Sequence, residues 1–339
     1  MINYVKKIQK LKDKFDGKVV ISAHHYQHPE IVKLADFVGD SYKLAVDCSR
    51  VNAEYIVFCG VRFMAEGAAI LAKENQKILL PKMSAGCPLA DFIDGEIMEN
   101  VLMSIEQNFQ ISAIPVVYMN SYTDAKNVCG KFGGAVCTSS NAQKILEYYF
   151  AKGQSVFFAP DFNLGINTAR KMNLKEGDII KVNKDLTFSK NGKTPKLFIW
   201  DGNCRVHKRF IQSDVEQFKA KYPNGKLIVH PECDEAIVNL ADISGSTSKI
   251  FSEIEKSKNG SVWAVGTEYF FVKRITDQFP QKTIVPLRQS ICANMAKINL
   301  QNLYETLKSI DENIENLIVV NEKQNARKSL QKMIEIVEG

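Results

Sequence analysis

The chain has 339 residues, 45% of them apolar and 24% charged, with 44 basic against 38 acidic side chains and a net charge of +6. This balance predicts a globular chain long enough for two or three domains, with no run near the ~18 apolar residues that a membrane span needs. The basic residues are scattered and form no arginine-rich tract, which argues against nucleic acid and suits small anionic partners.

Residues 1–18 form a charged, helix-like segment without the apolar stretch and cleavage site of a secretory signal, so a cytoplasmic location is expected. Eight cysteines in a reducing compartment are not expected to form structural disulfides. No C-x-x-C pair occurs, which leaves zinc ribbons, thioredoxin-like sites and ferredoxin-type runs unsupported. Any metal ligands must come from distant parts of the chain.

Short β-branched runs alternate with helical patterns along the whole length, which predicts an α/β fold of βαβ units and parallel sheets. In chain order the predicted strands are 18–23, 55–59, 77–81, 114–118, 155–159, 196–200, 226–230, 261–266 and 283–286. Three of them lead into polar clusters, His24-His25-Tyr26, Tyr118-Met119-Asn120 and His230-Pro231-Glu232. A hydroxyl-bearing motif follows each cluster: Gly39-Asp40-Ser41, Thr138-Ser139-Ser140-Asn141 and Gly245-Ser246-Thr247. The first and third are preceded by the same tripeptide, Leu34-Ala35-Asp36 and Leu240-Ala241-Asp242. Next come the strand ends Phe58-Cys59-Gly60, Ala159-Pro160-Asp161 and Val265-Gly266-Thr267, then one more helix and strand, then a cysteine.

Gly60 precedes Cys87 by 27 residues and Gly266 precedes Cys292 by 26, whereas Asp161 precedes Cys204 by 43. The excess falls in residues 182–195, a polar stretch that reads as a surface hairpin. Self-similarity of this kind predicts three homologous α/β/α parallel-sheet domains in a pseudo-threefold (trefoil) arrangement. Their expected extents are 1–93, 94–207 and 208–296, with C-terminal helices in 297–339 packing back on the first. Ligands bind beyond the carboxyl ends of parallel strands, so three inward-facing ends would form one central cleft.

Cys87, Cys204 and Cys292 all fall in loops after the last strand of a unit. Three thiolates do not complete a tetrahedral zinc shell. They suit a [4Fe–4S] cluster with one iron left open, or are inert core cysteines; position alone does not choose. Cys48, Cys59, Cys129, Cys137 and Cys233 read as core. Ser41, Ser139 and Thr247 lie where helices begin, where hydroxyls cap helices and where free N–H groups bind anions; three equivalent positions favour the anion reading. His24 with Tyr26, and His230 with Glu232, pair a histidine with a second proton-transfer group, as acid–base catalysis requires. His25 and His28 read as helix-entry residues, and Met64 as core packing or a substrate contact. The glycines of residues 130–134 lack the spacing of a nucleotide-binding loop and read as a flexible loop, so no hydride cofactor is expected.

The strings His24-His25-Tyr26-Gln27, Gly39-Asp40-Ser41, Gly60-Val61-Arg62-Phe63-Met64-Ala65-Glu66, Ala85-Gly86-Cys87 and Tyr118-Met119-Asn120 resemble motifs of the quinolinate synthase (NadA) family. Cys137-Thr138-Ser139-Ser140-Asn141-Ala142, Pro160-Asp161-Phe162-Asn163-Leu164-Gly165, His230-Pro231-Glu232-Cys233 and Gly245-Ser246-Thr247 continue the match in the family's order. The resemblance implies a [4Fe–4S] cluster at the domain junction, held by Cys87, Cys204 and Cys292. It implies condensation of iminoaspartate with dihydroxyacetone phosphate to quinolinate for NAD synthesis, with the open iron expected as a Lewis acid.

Substrate contacts implied by the resemblance are His24, Tyr26, Ser41, Tyr118, Asn120, Ser139, His230, Glu232 and Thr247, with Met64 added from its place at the cleft edge. Tyr26 and Glu232, oriented by His24 and His230, are the expected proton carriers. A transient contact with the enzyme that supplies iminoaspartate is compatible with this reading. The insertion at 182–195 and the C-terminal extension are longer than the family pattern leads one to expect.

Overall fold

The computed structural model describes residues 3–189 and 195–339. The first unit runs α1 (Tyr4–Phe15), β1 (Val19–His24), α2 (Pro29–Val32), β2 (Phe37–Gly39), α3 (Ser41–Arg50), β3 (Tyr55–Cys59), α4 (Arg62–Leu71) and β4 (Lys77–Leu79). The second runs α5 (Gly95–Phe109), β5 (Ile114–Tyr118), α6 (Thr123–Lys131), β6 (Ala135–Cys137), α7 (Ala142–Phe150), β7 (Val156–Ala159), α8 (Phe162–Lys171), β8 (Ile179–Val182) and β9 (Leu197–Trp200). The third runs α9 (Gln212–Lys221), β10 (Lys226–Val229), α10 (Glu235–Leu240), β11 (Ile243–Ser244), α11 (Thr247–Lys256), β12 (Val262–Gly266), α12 (Tyr269–Gln278) and β13 (Thr283–Pro286). The chain closes with α13 (Leu300–Glu312) and α14 (Gln324–Glu338).

Among the described residues the strands form three sheets, ordered β2-β1-β3-β4, β6-β5-β7-β9-β8 and β11-β10-β12-β13. The pairings within them are parallel. Helices cover both faces of such sheets, which is why the strands read as continuous apolar runs. In the third sheet Ile228, Trp263 and Val265 join one apolar cluster while Leu227, Val229 and Ala264 join another on the opposite face. The first two sheets and the C-terminal helices instead share one continuous core.

All nine predicted strands are present. Four more were not foreseen. β2, β6 and β11 are two or three residues long, too short for a period-2 pattern to register. Each ends immediately before or within a hydroxyl motif and so delivers that motif to the carboxyl edge of its sheet. The fourth, β8, corrects the reading of the insertion as a hairpin alone: it pairs with β9 as an extra parallel edge strand. Val182 then makes an antiparallel bridge to Phe188, and residues 190–194 of that stretch lie outside the described residues.

Of the C-terminal helices, one packs on the first unit as expected and one does not. α13 packs on α1, with the rings of Tyr4 and Tyr304 5.7 Å apart. α14 instead lies mainly on α6, β6 and α7 of the second unit. Its buried stripe, Ala326, Ser329, Leu330, Met333 and Ile336, begins with small residues that allow close approach. Asn127 Oδ1 accepts from the Ala326 N–H at 2.7 Å, and the Ser329 hydroxyl donates to the Lys126 carbonyl at 3.1 Å.

The glycines of 130–134 are accordingly not all in a free loop. Gly130 is in α6, and a β-carbon there would sit 1.9 Å from the Asn325 carbonyl oxygen. One at Gly134 would sit 1.8 Å from the Pro115 carbonyl oxygen. Among the described residues no helix is long and apolar enough to cross a membrane. Gly130→Ala should therefore destabilise the protein by about 2 kcal/mol or more by forcing α14 off α6. Gly177→Ala, where a β-carbon meets nothing within 4 Å, should stay within about 0.5 kcal/mol of wild type. Thermal and denaturant midpoints of the two variants check this.

Candidate active site

Because parallel strands expose functional residues at their carboxyl ends, the ends of β1, β5 and β10 carry the three polar clusters to one place. They open onto one cavity. The first unit lines it with His24, Tyr26, Ser41, Met64 and Cys87, the second with Tyr118, Asn120, Ser139 and Cys204, and the third with His230, Glu232, Thr247 and Cys292. The residues singled out from the sequence are thus brought together, although they span more than 260 positions, from His24 to Cys292.

The hydroxyl residues sit at helix starts. Asp40 caps α3 by accepting the Lys43 N–H at 3.0 Å, and Ser246 caps α11 by accepting the Lys249 N–H at 3.3 Å. Ser41 and Thr247 therefore occupy first helical positions, where backbone N–H groups favour anions. Before α7, Asn141 Oδ1 accepts the Thr138 N–H at 2.7 Å and shapes the turn that carries Ser139. Asp40 also accepts from Ser248 Oγ at 2.7 Å, joining the first unit to the third.

Two histidines are held alike. His24 Nδ1 accepts the Tyr26 N–H at 3.2 Å, and His230 Nδ1 accepts the Glu232 N–H at 3.4 Å. An acceptor at Nδ1 leaves the proton on Nε2, and His230 Nε2 lies 3.2 Å from Ser139 Oγ. Burial, with the nearby Arg274 charge, lowers His24 from 6.5 to about 3. Burial and His207 bring His230 to about 3. Both rings are neutral at physiological pH.

His25 is more than a helix-entry residue. Its Nδ1 accepts from the Arg274 guanidinium at 2.8 Å, and its ring stacks on Phe251, tying β1 to the third unit. His28 caps α2 without a side-chain bond and packs its ring on Phe270 at 3.9 Å.

The sequence reading missed His207 and Thr267, which link the foreseen proton carriers. Tyr26 Oη lies 2.8 Å from Thr267 Oγ1, Thr267 Oγ1 lies 3.0 Å from His207 Nε2, and His207 Nδ1 lies 2.6 Å from Glu232 Oε2. The last approach is close but out of line for an N–H bond, and Glu232 Oε1 is buried without a partner. The repeat held a signal for His207. Each cysteine is followed three residues later by the start of a 3-10 turn, beginning at Ala90, His207 and Met295, and only the second unit places an imidazole there.

Burial alone would raise Glu232. The imidazoles of His207 and His230 beside it outweigh burial and hold the carboxyl low and ionised. Asp161, buried and facing that charge, is pushed well above the ordinary carboxylate range. Tyr26 and Tyr118 are raised by burial and by Glu232, and both stay protonated.

All eight cysteines are free, and only Cys87, Cys204 and Cys292 are not fully buried. All three face the cavity. Burial pushes Cys87 up to about 12 and raises the other two, so metal binding must displace protons from all three.

Their loops are anchored before any metal arrives. Asp161 Oδ2 accepts the Cys204 N–H at 3.2 Å, and Glu268 Oε1 accepts the Cys292 N–H at 3.3 Å. The Cys87 N–H donates to Tyr122 Oη at 3.2 Å. Three anchored thiols on one pocket, whose lining holds no fourth cysteine, fit a cluster that takes three protein ligands.

Since the folded state disfavours protonated His24, stability relative to a variant lacking that ring is lost as pH falls below the ring's ordinary value near 6.5. Denaturant titrations between about pH 7.5 and 5 should show wild type losing up to ~1.4 kcal/mol per pH unit relative to His24→Asn. A gap that does not move with pH would mean that the folded chain protonates this ring.

Comparison with known proteins follows the same line. The family model described as NadA, quinolinate synthetase A protein, matches residues 6–335. Quinolinate synthase of Streptomyces coelicolor is 41% identical over 313 residues, covering 89% of this chain and 79% of the relative. That of Bacillus cereus strain Q1 is 38% identical over 344 residues, covering 99% and 94%. A solved E-1-hydroxy-2-methyl-but-2-enyl-4-diphosphate reductase from Plasmodium falciparum covers 99% of this chain and 94% of its own at 12% identity, but its TM-score of 0.29 carries no weight. With a model matched over nearly its whole length and relatives near 40% identity, the chain belongs to the NadA family of quinolinate synthetase A proteins.

Proposed function

We propose that this chain is a quinolinate synthase of de novo NAD biosynthesis, working in the cytoplasm. It condenses iminoaspartate with dihydroxyacetone phosphate to quinolinate, releasing phosphate and two waters. Those atoms balance without an oxidant or reductant. The observation that carries the reading is one cavity onto which three cysteine loops, three helix-start hydroxyls and a buried carboxylate all open.

Cys87, Cys204 and Cys292 would hold a [4Fe–4S] cluster, which when bound supplies a Lewis acid for a substrate carboxylate or hydroxyl oxygen. Ser41, Ser139 and Thr247 bind the anionic oxygens of the dicarboxylate and the triose phosphate. Tyr118 and Asn120 contact the forming ring, with Met64 packing beside it. Glu232, ionised at neutral pH, is the base that removes carbon-bound protons. Tyr26, kept protonated, is the acid that donates to departing oxygen. Thr267 lies in hydrogen-bond range of both Tyr26 and His207, and His207 Nδ1 lies 2.6 Å from Glu232 Oε2, a row along which a proton taken at Glu232 would return to Tyr26. Neutral His24 and His230 orient the pair through their Nδ1 contacts.

Anaerobic purification with iron and sulfide analysis, followed by a quinolinate assay, tests the proposal. Brown protein with about four irons and four sulfides per chain and quinolinate formation is expected; iron-free or inactive material would refute it. Glu232→Gln should lower kcat by about 10²- to 10⁴-fold while keeping wild-type iron, and near-normal turnover would remove Glu232 from the chemistry. Cys204→Ala should be colourless and inactive, whereas brown protein from this variant would show that the cluster ligands lie elsewhere.

A further inference from the structure

We propose that Lys126 is a positioning residue for the segment Tyr118–Asn120, its ammonium holding the backbone on either side of Asn120 so that this pocket side chain keeps its aim. Lys126 lies on α6 outside the cavity lining and has no exposed surface. Its Nζ donates to the Met119 carbonyl at 3.0 Å, to the Ser121 carbonyl, and to Ser121 Oγ at 3.2 Å. An ammonium has three N–H groups, and all three end on the residues that flank Asn120. Ser121 Oγ in turn donates to the Tyr118 carbonyl at 2.8 Å, which extends the hold to the end of β5.

Among the described residues Lys126 forms no ion pair. Burial draws it down to about 8 against the opposing pull of Glu66 and Asp124. A packing role alone would be served by an apolar side chain, since burying a charge costs free energy that only specific partners offset. What this charge reaches is the strand end of the second unit. Asn120 Oδ1, at its centre, is buried without a partner, as expected of a group held ready for a ligand.

The inference rests on the reading of the pocket given above, and wild-type turnover is measured first: no quinolinate from the loaded wild type overturns both. In active enzyme, Lys126→Met should keep wild-type iron content and lose about tenfold or more in kcat/KM. Combined with Asn120→Ala it should lose no more than about twofold beyond Asn120→Ala alone, because the two act through one segment. Losses that multiply, or a Lys126→Met enzyme with wild-type kcat/KM, overturn the assignment while leaving the proposed function intact. Because removing a buried ammonium can impair folding, Ser121→Ala serves as a second variant. It should lose about threefold in kcat/KM, again without multiplying the Asn120→Ala loss, and wild-type kcat/KM in this variant also overturns the proposal.

Discussion

A carboxylate with almost no water around it must be balanced by its neighbours, and the pocket is arranged about that requirement at Glu232. Its side chain is only 3% exposed. His207 approaches from the second unit to 2.6 Å, and the nearby Asp161 carboxyl is pushed up by burial and by Glu232. Removing His207 would leave that buried charge without its nearest polar neighbour, at a cost of several kcal/mol. Two asparagines of α8 also grip the backbone around Glu232. Asn163 donates to the Glu232 carbonyl at 3.2 Å, and Asn167 to those of Pro231 and Cys233 at 2.8 Å each. The cavity-facing end of the third unit is therefore held by the second.

The threefold repeat sets out equivalent slots, and the chemistry comes from filling them unequally. The residue that caps the helix after the third-position strand is Val61, Asp161 or Glu268. Two of these are carboxylates that also bind the amide of the following cysteine, while the first unit borrows Tyr122 from its neighbour. Three identical units would place three histidines or three carboxylates on one axis, where like charges repel. One imidazole, one buried carboxylate and two neutral histidines avoid that conflict.

The cores follow a similar division. The first two sheets and the C-terminal helices bury one continuous apolar volume, whereas the third sheet has its own clusters on each face. Contact between the third unit and the rest is therefore largely polar: Ser248 with Asp40, Arg274 with His25, Asn167 with the loop after β10, and Tyr26 with Thr267. Polar contacts specify geometry more than they add stability, which suits a junction whose function is to aim side chains.

The sequence by itself determined the alternation of strands and helices, the threefold repeat and the set of side chains at strand ends, because buried parallel strands and helix starts impose local residue patterns. It could not register β2, β6 and β11, whose two or three residues span no period. Nor did the polar composition of 182–195 show that β8, just before it, adds an edge strand. The seating of α14 on α6 was decided by the close approach at Gly130, a property of two helices and not of either alone. His207 and Lys126 likewise look like ordinary members of a turn and a helix. Their roles come from partners 25 and 5 to 7 residues away, Glu232 and the Met119–Ser121 backbone. Local patterns are written in consecutive residues, but the charge state and partners of a buried group exist only once distant segments have closed around it.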